Sequence, residues 1–128
     1  MVQPVHPDSR PCPAERLIAW GTACLQAVGV DAADAASVAG SLVQTNLWGI
    51  DSHGIARLPH YLNRITHGSI KARPQIVVTP TGPSTAQVDG DQGLGIIVSH
   101  RANRVAIELA RATRCKTRSP PSWHAPTR

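Results

Sequence analysis

The chain has 128 residues and a formal net charge of +5 at pH 7, and this length suffices for one modest hydrophobic core. Residues 1–110 carry eight basic and eight acidic side chains, so the positive excess is confined to residues 111–128, which also contain three prolines. A basic, Pro-rich end is typical of a disordered appendage and not of a nucleic-acid readout surface, so we predict no nucleic-acid partner.

The cysteines and the first residues indicate the compartment. Cys12, Cys24 and Cys115 are odd in number and lack C-x-x-C spacing, which predicts neither a disulfide framework nor a zinc ribbon. A reduced, cytoplasmic compartment fits best. Prolines and charged residues interrupt the N-terminus before any apolar run, which predicts neither a signal peptide nor a membrane anchor. We interpret residues 1–12 as a flexible leader and expect no membrane association.

Three amphipathic helices are predicted in the first half of the chain. The first begins at Pro13 and ends at Gly29, the second is capped by Asp31, and the third ends at Gly68. Their expected core-facing residues are, in order, Leu17, Gly21, Cys24, Leu25 and Val28; Ala36, Ala39, Val43 and Leu47; and Leu58, Tyr61, Leu62 and Ile65.

Two strands and a fourth helix are predicted next. Residues 75–79 and 85–88 read as strands set apart by Pro80, Gly82 and Pro83. A turn over residues 90–95 leads into the fourth helix, whose expected inward residues are Val98, Ala102, Val105, Ala106 and Leu109. Residues 111–128 show no periodicity and are predicted to form a disordered tail.

One run carries a combination of side chains suited to a small acid: Asp51-Ser52-His53-Gly54-Ile55-Ala56-Arg57. If this run is helical, His53 and Arg57 leave the same face, because they are four residues apart. An imidazole can donate or accept the proton of a carbonyl or hydroxyl oxygen near neutral pH, and a guanidinium binds a neighbouring carboxylate through two parallel hydrogen bonds. Ser52 can add a hydrogen bond to the reacting oxygen. The pattern therefore favours a 2-oxo or 2-hydroxy acid as substrate.

Two other patterns invite a binding role. His53, His60 and His67 recur every seven residues, but seven residues span about 10 Å of helix axis, too far for two rings to bind one ion at about 2 Å. No metal site is therefore predicted. The glycines of residues 90–95 could cradle a phosphate, but their spacing is not G-x-G-x-x-G, and a tight strand-to-helix turn is favoured.

The longer sequence around this run resembles the type-2 malate/L-lactate dehydrogenase family. The residues that carry the resemblance are Thr45-Asn46-Leu47-Trp48-Gly49-Ile50-Asp51-Ser52-His53-Gly54, then Arg57-Leu58-Pro59-x-Tyr61, His67-Gly68-x-Ile70 and Gly90-Asp91-x-Gly93-x-Gly95. It implies an α/β fold that is not a Rossmann fold, NAD or NADP as cofactor, a small 2-hydroxy/2-oxo acid as substrate, and a homodimer. It also implies that Ser52 and His53 are catalytic and that Arg57 and Tyr61 bind the substrate.

The resemblance fades near residue 110. The family's later Asn-x-His-Phe-Gly-type motif has no counterpart, because His124 stands in a different context. We therefore expect residues 13–110 to be the N-terminal, substrate-facing portion of the family fold, truncated or frameshifted before the cofactor region, and residues 111–128 to be unrelated to it. The alternative is a non-enzymatic helical interaction module that retains the family pattern.

Overall fold

A computed structural model describes residues 10–113 of the chain. Its elements, in chain order, are α1 (Ala14–Ala27), α2 (Ala32–Leu47), two 3₁₀ turns (Asp51–His53 and Ile55–Arg57), α3 (Leu58–Thr66), β1 (Val77–Gly82), β2 (Thr85–Asp89) and α4 (Gly95–Ala112). This mixture of helices with a small sheet agrees with the predicted elements. The non-Rossmann character and the truncation stay predictions, and most of the leader and tail lies outside the described residues. None of the helices in residues 10–113 has the length and hydropathy needed to cross a bilayer.

Helices α1 and α2 pack against each other and are joined by a short turn. Gly29 ends α1 with φ +94°, and the Asp31 carboxylate caps α2 by accepting a hydrogen bond from the Ala33 N–H at 3.2 Å, both as predicted. The predicted stripe of α2 is partly wrong, because Ala36 is exposed and Leu47 is 65% exposed. The buried stripe begins one residue earlier and follows the helical spacing Ala35, Val38, Ala39, Leu42 and Val43.

The core lies between α1, α2, α3 and the first turns of α4. Its buried side chains are Leu25, Val30, Ala35, Val38, Leu42, Leu58, Ile65, Ile70, Leu94 and Ile97. Each fully buried leucine contributes about 1.5–3 kcal/mol through removal of apolar surface from water. Leu58 is completely buried and directly follows the second 3₁₀ turn. The core therefore fixes the chain at the point where the second 3₁₀ turn ends and α3 begins.

The two strands pair as an antiparallel hairpin, with Val78 opposite Val88. The first strand was predicted two residues too early, since it runs from Val77 to Gly82 and includes Pro80. The Gln75 N–H is bound by the Asp91 carboxylate at 2.8 Å and is not part of the sheet. Pro80 is tolerated because both strands of a two-stranded sheet are edges, where a missing N–H need not break a ladder.

Helix α4 is buried only near its start. Ile97 is 6% exposed and was not among the predicted inward residues, whereas Ala106 is exposed, contrary to the prediction. The other predicted positions, Val98, Ala102, Val105 and Leu109, are half-buried. The reason is that α4 packs on β2 and α2 through its N-terminal turns, and Ile107 further along is 51% exposed. The helix also extends past the expected boundary at residue 110, to Ala112.

Candidate active site

The segment that carries Ser52 and His53 is not a continuous α-helix. It forms two consecutive 3₁₀ turns, and Gly54 between them has φ −86° and ψ −148°, outside the helical region. The α-helical geometry considered for His53 and Arg57 is therefore wrong here. Arg57 instead ends the second turn and occupies the N-cap position of α3.

Ser52 and His53 contact each other through their side chains. The Ser52 Oγ lies 2.9 Å from the His53 Nδ1, and both residues are exposed. The hydroxyl can donate to the ring nitrogen or accept from it, according to the tautomer of the imidazole. In either case Nδ1 is occupied, and Nε2 has no partner within residues 10–113, so it can exchange a proton with a ligand.

Arg57 and Tyr61 lie at the start of α3, one helical turn apart. Arg57 is exposed, whereas Tyr61 is half-buried and packs against the core. The Tyr61 ring is also 5.9 Å from the His60 ring, at an interplanar angle of 59°. The rigid helix thus gives the phenol ring a fixed position and leaves the guanidinium open to a carboxylate.

A broad groove lies beside Tyr61, between α3 and the first turn of α4. Its volume is about 820 Å³, and its polar lining includes Ser41, Arg64, Ser69, Gln92, Ser99 and His100. His100 Nε2 is 3.4 Å from the Ser41 Oγ at one wall. Among the four residues proposed from sequence, only Tyr61 lines this groove in the part of the chain that the structure describes. Ser52, His53 and Arg57 are exposed and do not line this groove.

Asn46 was given no role by the sequence, yet it contacts the turn directly. Its Oδ1 accepts a hydrogen bond from the Ile55 N–H at 2.7 Å, and its Nδ2 donates to the Asp51 carboxylate at 2.5 Å. The missed signal was a polar amide at the end of a helix, followed within ten residues by an acid and a glycine. Such a pattern names the side chain but not its partners.

The turn over residues 90–95 is held in place by the side chain of one of its own residues, Asp91. Asp91 and Gln92 adopt φ of +46° and +56°, and Asp91 binds Lys71 Nζ with one oxygen and the Gln75 N–H with the other. The hydrogen bond from Lys71, and then that from the Gln75 N–H, lower the pKa of Asp91. The acidic side chain is therefore committed to the fold, in agreement with a structural turn.

The same turn differs from the glycine-rich turn of a doubly wound dinucleotide site. The turn follows an antiparallel strand, whereas dinucleotide sites of the doubly wound type follow a parallel one. This turn therefore does not have the geometry of a doubly wound dinucleotide site. Nor do three or more His, Cys, Asp or Glu side chains converge as metal ligands anywhere in residues 10–113.

Comparison with known proteins identifies close relatives of this segment. A malate dehydrogenase of Pyrococcus horikoshii is 41% identical over 101 residues, which are 79% of this chain and 28% of the relative. An L-sulfolactate dehydrogenase of Methanocaldococcus jannaschii is 39% identical over 87 residues, or 68% of this chain and 25% of the relative. The solved malate dehydrogenase structure from Pyrococcus horikoshii matches with a TM-score of 0.78 at 37% identity, covering 87% of this chain and 32% of that one.

The similarity to one protein family extends over most of the chain and is not confined to a single motif. The chain spans only about a third or less of the length of these relatives. Within the chain, however, the sequence profile of the family described as malate/L-lactate dehydrogenase matches residues 12–115, well over half of its length. This confirms the resemblance seen in the sequence, and the chain belongs to the malate/L-lactate dehydrogenase family.

Proposed function

We propose that the chain is the substrate-facing portion of an NAD(P)-dependent oxidoreductase that interconverts a small 2-hydroxy acid and its 2-oxo acid. The observation that carries this proposal is the exposed pair of Ser52 and His53, joined at 2.9 Å, in a chain of this family. An accessible imidazole held by a hydroxyl is suited to proton transfer at a substrate oxygen near neutral pH.

Each residue of the proposed site has a distinct part. His53 donates a proton to the oxygen of the 2-oxo acid through Nε2 and withdraws it in the reverse direction. Ser52 holds the ring through Nδ1 and fixes its orientation. Arg57 binds the substrate carboxylate, and Tyr61 forms the wall behind it. Oriented groups of this kind lower the barrier because the reacting atoms need not search for their geometry.

The cofactor and the assembly are proposed from the family alone. NAD or NADP is proposed to bind the part of the family fold that this chain does not span, because the matched residues are only 28% of the Pyrococcus horikoshii relative and the turn over residues 90–95 lacks the doubly wound geometry. A homodimer and a cytoplasmic location are proposed on the same resemblance and on the cysteine pattern. The malate and sulfolactate enzymes among the relatives make L-malate a suitable first probe.

Thermal unfolding with and without acids tests the proposal. A ligand that binds only the folded chain raises its stability, by about 2.7 kcal/mol at one hundred times the dissociation constant. We expect L-malate or its 2-oxo acid to raise the melting temperature of the wild type, and Arg57→Ala to remove the effect. Arg104→Ala, which alters an exposed arginine on α4, is the matched control and should keep it. No response to any 2-hydroxy or 2-oxo acid would count against the proposed site.

A further inference from the structure

The side chain of Asn46 connects the end of α2 to both 3₁₀ turns. Its amide oxygen binds the N–H of Ile55, the first residue of the second turn, at 2.7 Å. Its amide nitrogen binds the carboxylate of Asp51, the first residue of the first turn, at 2.5 Å. One planar amide therefore binds both ends of this loop, and Ser52 and His53 lie between those ends.

Gly54 supplies the space for this amide. It is buried, and a Cβ at this position would clash with the Asn46 Oδ1 and lie 2.6 Å from its Nδ2. Contacts under 3.0 Å are not tolerated, so any side chain at residue 54 would have to displace the amide. The glycine after His53 and the amide at the end of α2 thus form one unit.

The chemistry of the site requires an amide at residue 46. The Ile55 N–H needs an acceptor and the Asp51 carboxylate needs a donor, and the two ends of an asparagine side chain provide one of each. An aspartate would offer acceptors only and would place two carboxylates together. We propose that Asn46 is the positioning residue for His53, which it holds by fixing Asp51 and Ile55 on either side. This inference rests on the proposed function for the role of His53 and on the geometry alone for the role of Asn46.

An exchange of amide and acid tests the inference in the full 128-residue chain. Asn46→Asp places two carboxylates together, whereas Asp51→Asn keeps a hydrogen bond between residues 46 and 51. In the double variant, residue 51 donates to residue 46, and residue 46 still accepts from the Ile55 N–H. Asn103→Asp makes the same charge change on the exposed face of α4 and serves as the control. The readouts are the ¹⁵N signals of the His53 ring, which report its tautomer, and the thermal unfolding temperature.

We expect Asn46→Asp to change the ¹⁵N signals of the His53 ring, the double variant to restore the wild-type signals, and Asn103→Asp to leave them unchanged. If Asn46→Asp lowers the unfolding temperature while the His53 signals stay as in the wild type, Asn46 is merely structural and the inference fails. If Asn46→Asp does not fold, the double variant decides: wild-type His53 signals support the inference, and altered signals overturn it.

The same spectra separate this inference from the proposed function. Added L-malate should shift the His53 ring signals of the wild type and of the double variant. A wild-type chain whose His53 ignores L-malate, while the exchange series behaves as expected, would contradict the proposed function and leave the positioning of the ring by Asn46 supported.

Discussion

Lys71 and Asp91 form an ion pair that joins the segment after α3 to the turn before α4. The second oxygen of Asp91 accepts the Gln75 N–H at 2.8 Å, so one carboxylate holds two separate parts of the backbone. Both partners lower the pKa of Asp91, the Lys71 hydrogen bond more than the Gln75 N–H. The turn that Asp91 occupies has positive φ at two non-glycine residues, and this carboxylate stabilises it.

This pair predicts a loss of stability at acid pH. The folded pKa of Asp91 lies below its unfolded value of about 3.9, so its contribution is complete above that value and is lost as the pH falls through the folded pKa. We expect the free energy of unfolding to decrease below about pH 4, and to decrease less in Asp91→Asn, which starts from a lower value at neutral pH. Urea unfolding across this pH range measures the free energy, and Glu108→Gln, which alters an exposed residue of α4, is the control. Parallel pH curves for wild type and Asp91→Asn would contradict it.

Gly21 lies where α1 closely approaches α2 and the second 3₁₀ turn. A Cβ there would lie 3.2 Å from the Ala39 Cβ and 3.3 Å from the Ile55 Cδ1, whereas a Cβ at Gly40 on α2 would meet nothing within 4 Å. We expect Gly21→Val to destabilise the chain by about 1–3 kcal/mol through overpacking. Gly40→Val should be neutral or slightly stabilising, because valine favours a helix over glycine by a few tenths of a kcal/mol. Equal unfolding temperatures for the two variants would show that the approach at Gly21 is loose.

Catalysis is best measured in a chimera in which residues 12–112 replace the matching segment of the Pyrococcus horikoshii enzyme. His53→Ala should lower kcat by about 10² to 10⁴ if the imidazole transfers the proton. Arg57→Lys should raise KM and lower kcat together, because a point charge replaces a two-bond fork. His67→Ala removes a histidine whose Nδ1 already contacts the Asn63 carbonyl at 2.8 Å, and it should change neither value. Small, equal effects of the first two variants would make both residues bystanders.

The helices were predictable because their signals are local. Gly29 and Gly68 end α1 and α3 with positive φ, and Leu58 and Ile65 are buried as their spacing indicated. The stripe of α2 was half right, since Ala39 and Val43 are buried as predicted and Ala36 and Leu47 are not. Ala35 is buried in place of Ala36, because alanines at neighbouring positions satisfy two helical registers equally well.

The sequence proposes residues for the site, and their roles stay predictions, but it does not predict their geometry. The pair of Ser52 and His53 is adjacent in sequence, but a one-residue step cannot reveal whether the backbone continues as an α-helix or breaks at Gly54. Asn46 acts on Ile55 across nine residues, through a contact that exists only after α2 and the turn are both formed. Periodicity carries no information about such a bond.

The 128-residue chain alone should show no turnover of any 2-hydroxy/2-oxo acid pair with NAD(H) or NADP(H). The matched residues are only 28% of the Pyrococcus horikoshii enzyme, and we expect the cofactor to bind the remainder of the family fold. The positioning of the reactants accounts for much of the rate of such reactions. Absorbance at the wavelength of the reduced nicotinamide measures turnover in protein purified from a host that lacks related dehydrogenases. Robust turnover that tracks with this chain through purification would overturn the prediction.

The final prediction concerns residues 116–128, which lie outside the family match. The frame that joins the last base of each codon to the first two of the next can be partly deduced from the residues. In that frame, the codon that spans Trp123 and His124 must be GCA, which encodes alanine. The codon that spans Ser122 and Trp123 must encode valine, leucine or methionine. The codon that spans Arg114 and Cys115 must likewise encode valine, leucine or methionine. The alternative frame of this basic, Pro-rich end can therefore encode a peptide able to form an apolar strand.

We therefore predict a one-base shift, in the gene or in its sequencing, between about codons 108 and 113. The change of character beyond α4 follows from it, because a shifted frame abandons the hydrophobic periodicity that the helix retains up to Ala112. In the alternative frame, Cys115 followed by Lys116 gives glutamine only if the third base of the Cys115 codon is C, and otherwise gives a stop. The nucleotide sequence decides the matter. A long open alternative frame with an Asn-x-His-like motif supports the shift, whereas an early stop, or an open frame without that motif, makes residues 116–128 the genuine continuation of the chain.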